Sequence, residues 1–282
     1  MPLLLLLASA APATSPTTSA PPAALGLDPF YGRYVDAGGI PIVSSLRVSP
    51  EALFVARDII DGLLARRPDL RRELVRQGVR VGIMAEEEST TDLPEQRHWK
   101  KPSRDDPRLT QCELKRFDEI ERMSDRDYWD RRARGTGGTY TTVGVENLLG
   151  RSGTRYFGES ILVHEFSHRI LAAVEVADRP LFAAIERAYA DAIRAGRWRG
   201  DYAGVTLQEY WAEGTQFWFD TNMLARLDDA AIVSHDDLRR YDPALFAVLA
   251  RVYGRRHVLA ADVFNRHPAR LNVPEGYRSA DC

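Results

Sequence analysis

Ser160-Ile-Leu-Val-His-Glu-Phe-Ser-His-Arg-Ile-Leu-Ala172 contains no glycine or proline, consists of good helix formers and carries apolar residues over most of one side. It predicts a helix over about 159–176. On such a helix His164 and His168, four positions apart, lie on one face a turn from each other, where two imidazoles can take neighbouring positions on a tetrahedral zinc ion. Glu165 comes directly after the first histidine and projects sideways from the metal, where it can polarise a water. The plain alternative is a helix whose two histidines make ordinary hydrogen bonds. The chain has six histidines, so a chance His-Glu-x-x-His is expected on the order of one time in a hundred, which favours the metal. One Zn2+ per chain is the cofactor expected.

Two histidines leave zinc short of a third protein ligand. The extended pattern with a downstream glycine and third histidine is absent, because Leu171 and Val174 occupy those places, and the next histidine is His235. Downstream lies Thr206-Leu-Gln-Glu-Tyr-Trp-Ala-Glu-Gly-Thr-Gln-Phe-Trp-Phe219, a predicted helix over 206–220 that brings Glu209 and Glu213 onto one face. Tyr210, Trp211, Phe217, Trp218 and Phe219 around them read as core packing on the back of that helix.

Tyr202-x6-Glu209-x3-Glu213 downstream of His164-Glu-Phe-Ser-His168 resembles the catalytic segment of the lethal-factor-like and Pro-Pro-endopeptidase-like zinc proteases, a gluzincin arrangement. The resemblance covers about 50 residues, 164–213. It implies a zincin-like fold, Glu209 as the third metal ligand, Glu213 as an acid behind the ligands, and Tyr202 facing the substrate. Thr206 and Glu209 also form Thr-x-x-Glu, a capping box that would fold Glu209 back onto the Thr206 amide and leave Glu213 as the ligand. Glu209 is the preferred ligand, since Glu213 can then orient a ligand histidine through its other ring nitrogen.

Around this segment the chain reads as one α+β domain with a small sheet and a mostly helical C-terminal half. Ser49-Pro50-Glu51 starts a helix over about 50–67, and further helices are expected near 111–123, 180–195 and 243–253. Val79–Met84 alternates as a strand, and Gly138–Val143 is a β-branched run introduced by glycines. Arg134-Gly-Thr-Gly-Gly-Thr-Tyr-Thr-Thr142 lacks the Gly-Lys-Ser/Thr ending of a phosphate loop, and is either a plain hairpin or the edge strand along which an extended substrate aligns. The polar stretch 86–106 reads as a surface loop, with His98 a solvated histidine. Ser160 and Ser167 lack a nucleophile-elbow context.

Residues 1–10 form a short apolar run ending Ala8-x-Ala10, as a secretory signal ends, although the charged segment that precedes such a run is missing; a buried N-terminal strand is the alternative. Residues 11–24 contain only Pro, Thr, Ser and Ala and read as a linker, leaving 25–282 as the domain. No other run approaches the ~18 apolar residues of a membrane span. Cys112 and Cys282 would pair in an exported protein; two unrelated thiols are the other reading. Acidic and basic residues are mixed along the chain, with a net charge of −2, which argues against nucleic acid as partner. Only three of the 38 basic residues are lysine, an arginine bias typical of a GC-rich bacterial genome.

These readings converge on a secreted, monomeric metallopeptidase acting on a protein or peptide, with Glu165 as general base and Tyr202 assisting. Two rivals remain. One is a zincin-fold hydrolase or lyase acting on a polysaccharide, because motif constrains metal chemistry better than substrate. The other is a non-catalytic secreted zinc-binding protein, against which Glu165 argues.

Overall fold

Five short strands make the sheet on which the site is assembled, in a computed structural model that describes residues 17–275 except 108, 110, 228, 229 and the side chains of 111 and 112. Strands β1 (Arg33–Ala37) and β2 (Ile40–Ser44) are joined by Gly38-Gly39, whose φ values are 61° and 92°. A two-residue loop with both central residues in the left-handed region suits glycine alone among the common residues. Ser19, late in the 11–24 segment, bridges to Tyr34 of β1. Residues 1–16, with the apolar run and the start of the linker, lie outside the described residues.

From β2 the chain crosses through α1 (Pro50–Leu64) and α2 (Pro68–Arg76) to β3 (Arg80–Met84), which runs parallel to β2. Helix α1 buries Leu53, Ile60, Leu63 and Leu64, the positions whose spacing predicts it. Helix α2 is unanticipated: Leu70 and Leu74 are its only buried residues, too few to give a periodic signal. The helix expected at 111–123 is two pieces, α3 (Gln111–Lys115) and α4 (Phe117–Arg122), because Arg116 leaves helical geometry at φ −112°, ψ 22°. After α5 (Asp125–Arg132), strands β4 (Gly135–Thr136) and β5 (Tyr140–Gly144) form an antiparallel hairpin. The sheet order is β1-β2-β3-β5-β4, with β3 and β5 parallel, so the glycine-rich segment is both a hairpin and an edge strand.

The rest is helical apart from one small ribbon: α6 (Val145–Leu148), α7 (Ile161–Ala177), α8 (Arg179–Arg194), α9 (Leu207–Trp218), strands β6 (Ala225–Arg226) and β7 (Ala231–Ile232), α10 (His235–Tyr241) and α11 (Pro243–Tyr253). The protein is therefore α+β, with a small mixed sheet and a helical C-terminal half. Helix α7 is its spine. Leu162, Val163, Phe166, Ile170, Ala173 and Val174 are buried against the sheet and neighbouring helices, the larger of them contributing roughly 1.5–3 kcal/mol each.

The 86–106 stretch is not simply a surface loop. Glu88, Ser89, Thr90, Leu93 and Gln96 are buried: Glu88 accepts the Ala85 amide at 2.8 Å, and the Gln96 Nε2 donates to Thr136 of β4 at 2.9 Å. The loop thus underpins the edge strand, while His98 stays exposed as expected. The Cys112–Cys282 pairing lies outside the described residues, since neither thiol is described. Among the described residues no helix is long and apolar enough to cross a membrane.

Candidate metal centre

Two helices bring the site together, and each is fixed at the end that matters. The start of α7 is held by Asn147, whose Oδ1 accepts the Ile161 amide at 2.9 Å while its Nδ2 donates to the carbonyls of Tyr156 (3.1 Å) and Glu159 (2.9 Å). The Ser160 amide donates to Thr221 O at 2.9 Å, and Gln216 Nε2 donates to Ser160 O at 3.0 Å, tying α7 to the far end of α9. Helix α9 is capped by Thr206, which accepts the Glu209 amide at 3.1 Å. Its back face buries Tyr210, Trp211, Phe217 and Trp218 in the core, as their pattern suggests.

The Glu209 carboxylate is turned toward the two imidazoles. Its Oε2 lies 3.0 Å from His164 Nε2 and 3.7 Å from His168 Nε2. Donors bound to one zinc with bonds of about 2.0–2.1 Å sit about 3.3 Å apart, so these separations bracket a tetrahedron edge. Within 4.8 Å of one another, His164, His168 and Glu209 offer two nitrogens and one oxygen, a set that could hold a metal ion.

His164 gives a second reason. Its Nδ1 faces Gln216 Oε1 at 3.0 Å and Glu213 Oε1 at 3.3 Å, while its Nε2 faces Glu209. A neutral imidazole has one N–H, so it can donate to only one of these sides. The other contact needs a second proton or a cation between nitrogen and carboxylate. With Nδ1–H directed at Gln216 and Glu213, the Nε2 lone pair points where a metal would be. Glu213 is itself held by Asn222, which donates to it at 2.6 Å, and so stands behind His164.

Glu165 lies on the other side, against the hairpin. A Cβ added at Gly137 would come within 3.2 Å of Glu165 Oε2 and 3.1 Å of His168 Cδ2, so glycine allows the edge strand this close to the helix. Burial pushes the Glu165 carboxyl up to about 7; the charge of His164 opposes this and that of Glu209 adds to it. Burial and the charge of His164 push His168 down to about 4. Burial works against the His164 cation, but hydrogen bonds to Glu209 and Glu213 raise its pKa well above the ordinary value. Tyr202 sits in a turn, Tyr202–Gly204, capped by Asp201; its ring lies 6.4 Å from that of His164, inclined by 21°. Burial, and then the Glu209 carboxylate to which its hydroxyl donates, raise its pKa.

These groups open into one cleft of about 590 Å³, which Trp99, Arg132, Tyr156 and Glu159 also line. Trp99 packs against Trp129 with ring centres 4.6 Å apart and planes inclined by 53°, and Arg132 pairs with Glu113 at 2.8 Å. Sequence reasoning missed Gln216, Asn222 and Glu159. Gln216 falls on the face of α9 shared by Glu209 and Glu213, a signal that the helical period carries. Asn222 and Glu159 lie in connecting segments without periodicity. Burial, reinforced by Glu213, pushes the Glu159 carboxyl up to about 7.

The arrangement is a two-histidine, one-carboxylate candidate metal centre on a His-Glu-x-x-His helix, open to a cleft. No family model and no curated protein matches the chain. Among solved structures it is similar to a Pro-Pro endopeptidase from Paenibacillus alvei, with 14% identity over 75% of this chain and 96% of that chain and a TM-score of 0.46.

Proposed function

We propose that the chain is a secreted zinc metallopeptidase of the gluzincin type. The observation that carries this reading is the convergence, in one cleft, of the His164, His168 and Glu209 donors with a carboxylate, Glu165, and a phenol, Tyr202. Zinc held by those three donors would supply Lewis-acid polarisation of a water or carbonyl oxygen. Glu165, which lines the cleft beside the three donors, would accept a proton from the attacking water and pass it to the leaving nitrogen. Tyr202 donates its hydroxyl to the carbonyl oxygen as charge develops there. Glu213, with Gln216 and Asn222, holds the His164 ring so that Nε2 faces the centre. The β4 edge gives an extended peptide a backbone to lie along.

The same reading takes residues 1–10 as an export signal, 11–24 as a linker and 25–282 as a monomeric catalytic domain closed by a Cys112–Cys282 disulfide, in a bacterial setting. The test is incubation of the purified protein and its Glu165→Gln variant with a diverse peptide library, with products read by mass spectrometry. Cleavage by the native protein alone is expected. A zinc-loaded native protein that cuts nothing overturns the reading.

A further inference from the structure

Of the four glutamates that line the cleft, the roles proposed above leave Glu159 unused. Its backbone is fixed: the Asn147 clamp holds the carbonyls of Tyr156 and Glu159, so the segment leading into α7 presents this side chain in a defined place. The side chain lines the same cleft as His164, Glu165 and Tyr202, close enough to His164 and Glu213 to feel their charges. Among the described residues no Lys or Arg lies within ion-pair distance of it; its protein partner is the amide of Gln216, already committed to His164 and the Ser160 carbonyl. The two arginines of the cleft are engaged elsewhere, Arg155 lying 5.1 Å over the Tyr156 ring and Arg132 on Glu113.

A half-buried carboxylate beside Glu213 and Glu165, opposed only by His164 and the Gln216 amide, costs desolvation that a further cation from outside would offset. We propose that Glu159 selects substrates carrying a cation beside the scissile bond, as a Lys or Arg side chain or a free α-amine. Met223, Leu224 and Val273, which line the same cleft, suit the methylene stem of a long basic side chain. Glu159 is thus a specificity residue of the site, not a participant in bond cleavage. This deepens the peptidase reading and rests on it.

Two measurements test it. Peptides matched except for Lys, norleucine or Glu at each position flanking the cut, with free or acetylated N-termini, are compared for kcat/KM. Binding of the Lys and norleucine peptides to zinc-loaded Glu165→Gln protein is measured by calorimetry, with Glu159 intact or replaced by Gln. The cationic peptide should be preferred by about 10- to 100-fold, an exchange expected for a desolvated charge pair. Glu159→Gln should bring the two peptides within about twofold, and Glu159→Lys should turn the preference toward Glu. The acetylated arm separates an α-amine from a side chain. A native enzyme that cleaves peptides without charge preference, or a preference that survives in Glu159→Gln, overturns the inference and leaves the peptidase reading intact. Equal weakening of all peptides by Glu159→Gln, together with lost zinc affinity, also overturns it, because Glu159 would then act by positioning His164. Glu159-dependent binding of the Lys peptide without any cleavage by the native protein would uphold the cation site and sink the peptidase reading.

Discussion

Replacing Gly137 by Ala separates stability from catalysis at this site. The new Cβ would lie 3.1 Å from His168 Cδ2, 3.2 Å from Glu165 Oε2 and 3.5 Å from His168 Cβ. Ordinary carbon contacts are about 3.5–4.0 Å, so strand and helix must part by about 0.4 Å. Gly137 is not among the glycines at positive φ, so alanine is allowed there and shortens the list of unfolded conformations by about 0.4–1 kcal/mol. Crowding costs on the order of 1 kcal/mol, the low end for overpacking, because the neighbours border a cleft. The two nearly cancel, and unfolding free energy should stay within about 1 kcal/mol of native. Catalysis is less forgiving: a misplacement of about 1 Å costs about 100-fold, so roughly 0.4 Å at Glu165 and His168 should lower kcat by about tenfold. Urea unfolding, zinc content and steady-state kinetics on a cleaved peptide measure the three quantities. Native kcat in this variant would refute the claim that the turn after the edge strand presses on Glu165, and a loss of several kcal/mol would refute the assignment of the contact to the cleft.

The same geometry sets three other outcomes. Glu209→Ala should lose zinc, while Glu213→Ala, which leaves Gln216 as the acceptor at His164 Nδ1, should weaken zinc binding by about 10- to 100-fold; competition with a chelating dye ranks them, and the reverse order would make Glu213 the ligand. Tyr202→Phe should keep fold and zinc and slow kcat by about 100-fold, the lower end for loss of one oxyanion donor; near-native kcat would remove Tyr202 from catalysis. Burial, partly offset by Ser160 and the Phe264 amide, pushes the Asp262 carboxyl from 3.8 up to about 6. The folded pKa is the higher one, so the cost of ionisation is absent below pH 3.8, grows as pH rises and levels off above pH 6 near ~3 kcal/mol. Asp262→Asn should therefore gain on the order of 1 kcal/mol on the native protein between about pH 5 and pH 8 in urea unfolding; a constant difference would contradict this.

Much of the centre is legible in the sequence because helices convert spacing into direction. His164 and His168 at i and i+4, and Glu209 and Glu213 at the same interval, fix two faces before any packing is known. What brings the faces together is not periodic. Asn147, in the single-turn helix α6, acts through three hydrogen bonds, and Asn222 and Glu159 act from connecting segments; only the folded chain shows their partners. The β1–β2 hairpin is no part of the sequence expectation, although Gly38-Gly39 marks its turn, and α2, with two buried leucines, carries almost no periodic signal. The 86–106 loop misleads through its polarity, since some of its buried polar groups find partners distant in sequence, as Gln96 Nε2 does in Thr136.

The central claim is that His164, His168 and Glu209 hold zinc. Its most direct test is the metal content of protein purified without chelators, measured by elemental analysis beside the His164→Ala and His168→Ala variants. About one zinc per native chain, lost in both variants, is the predicted result. Native protein without zinc, or variants that retain it in full, would contradict the account.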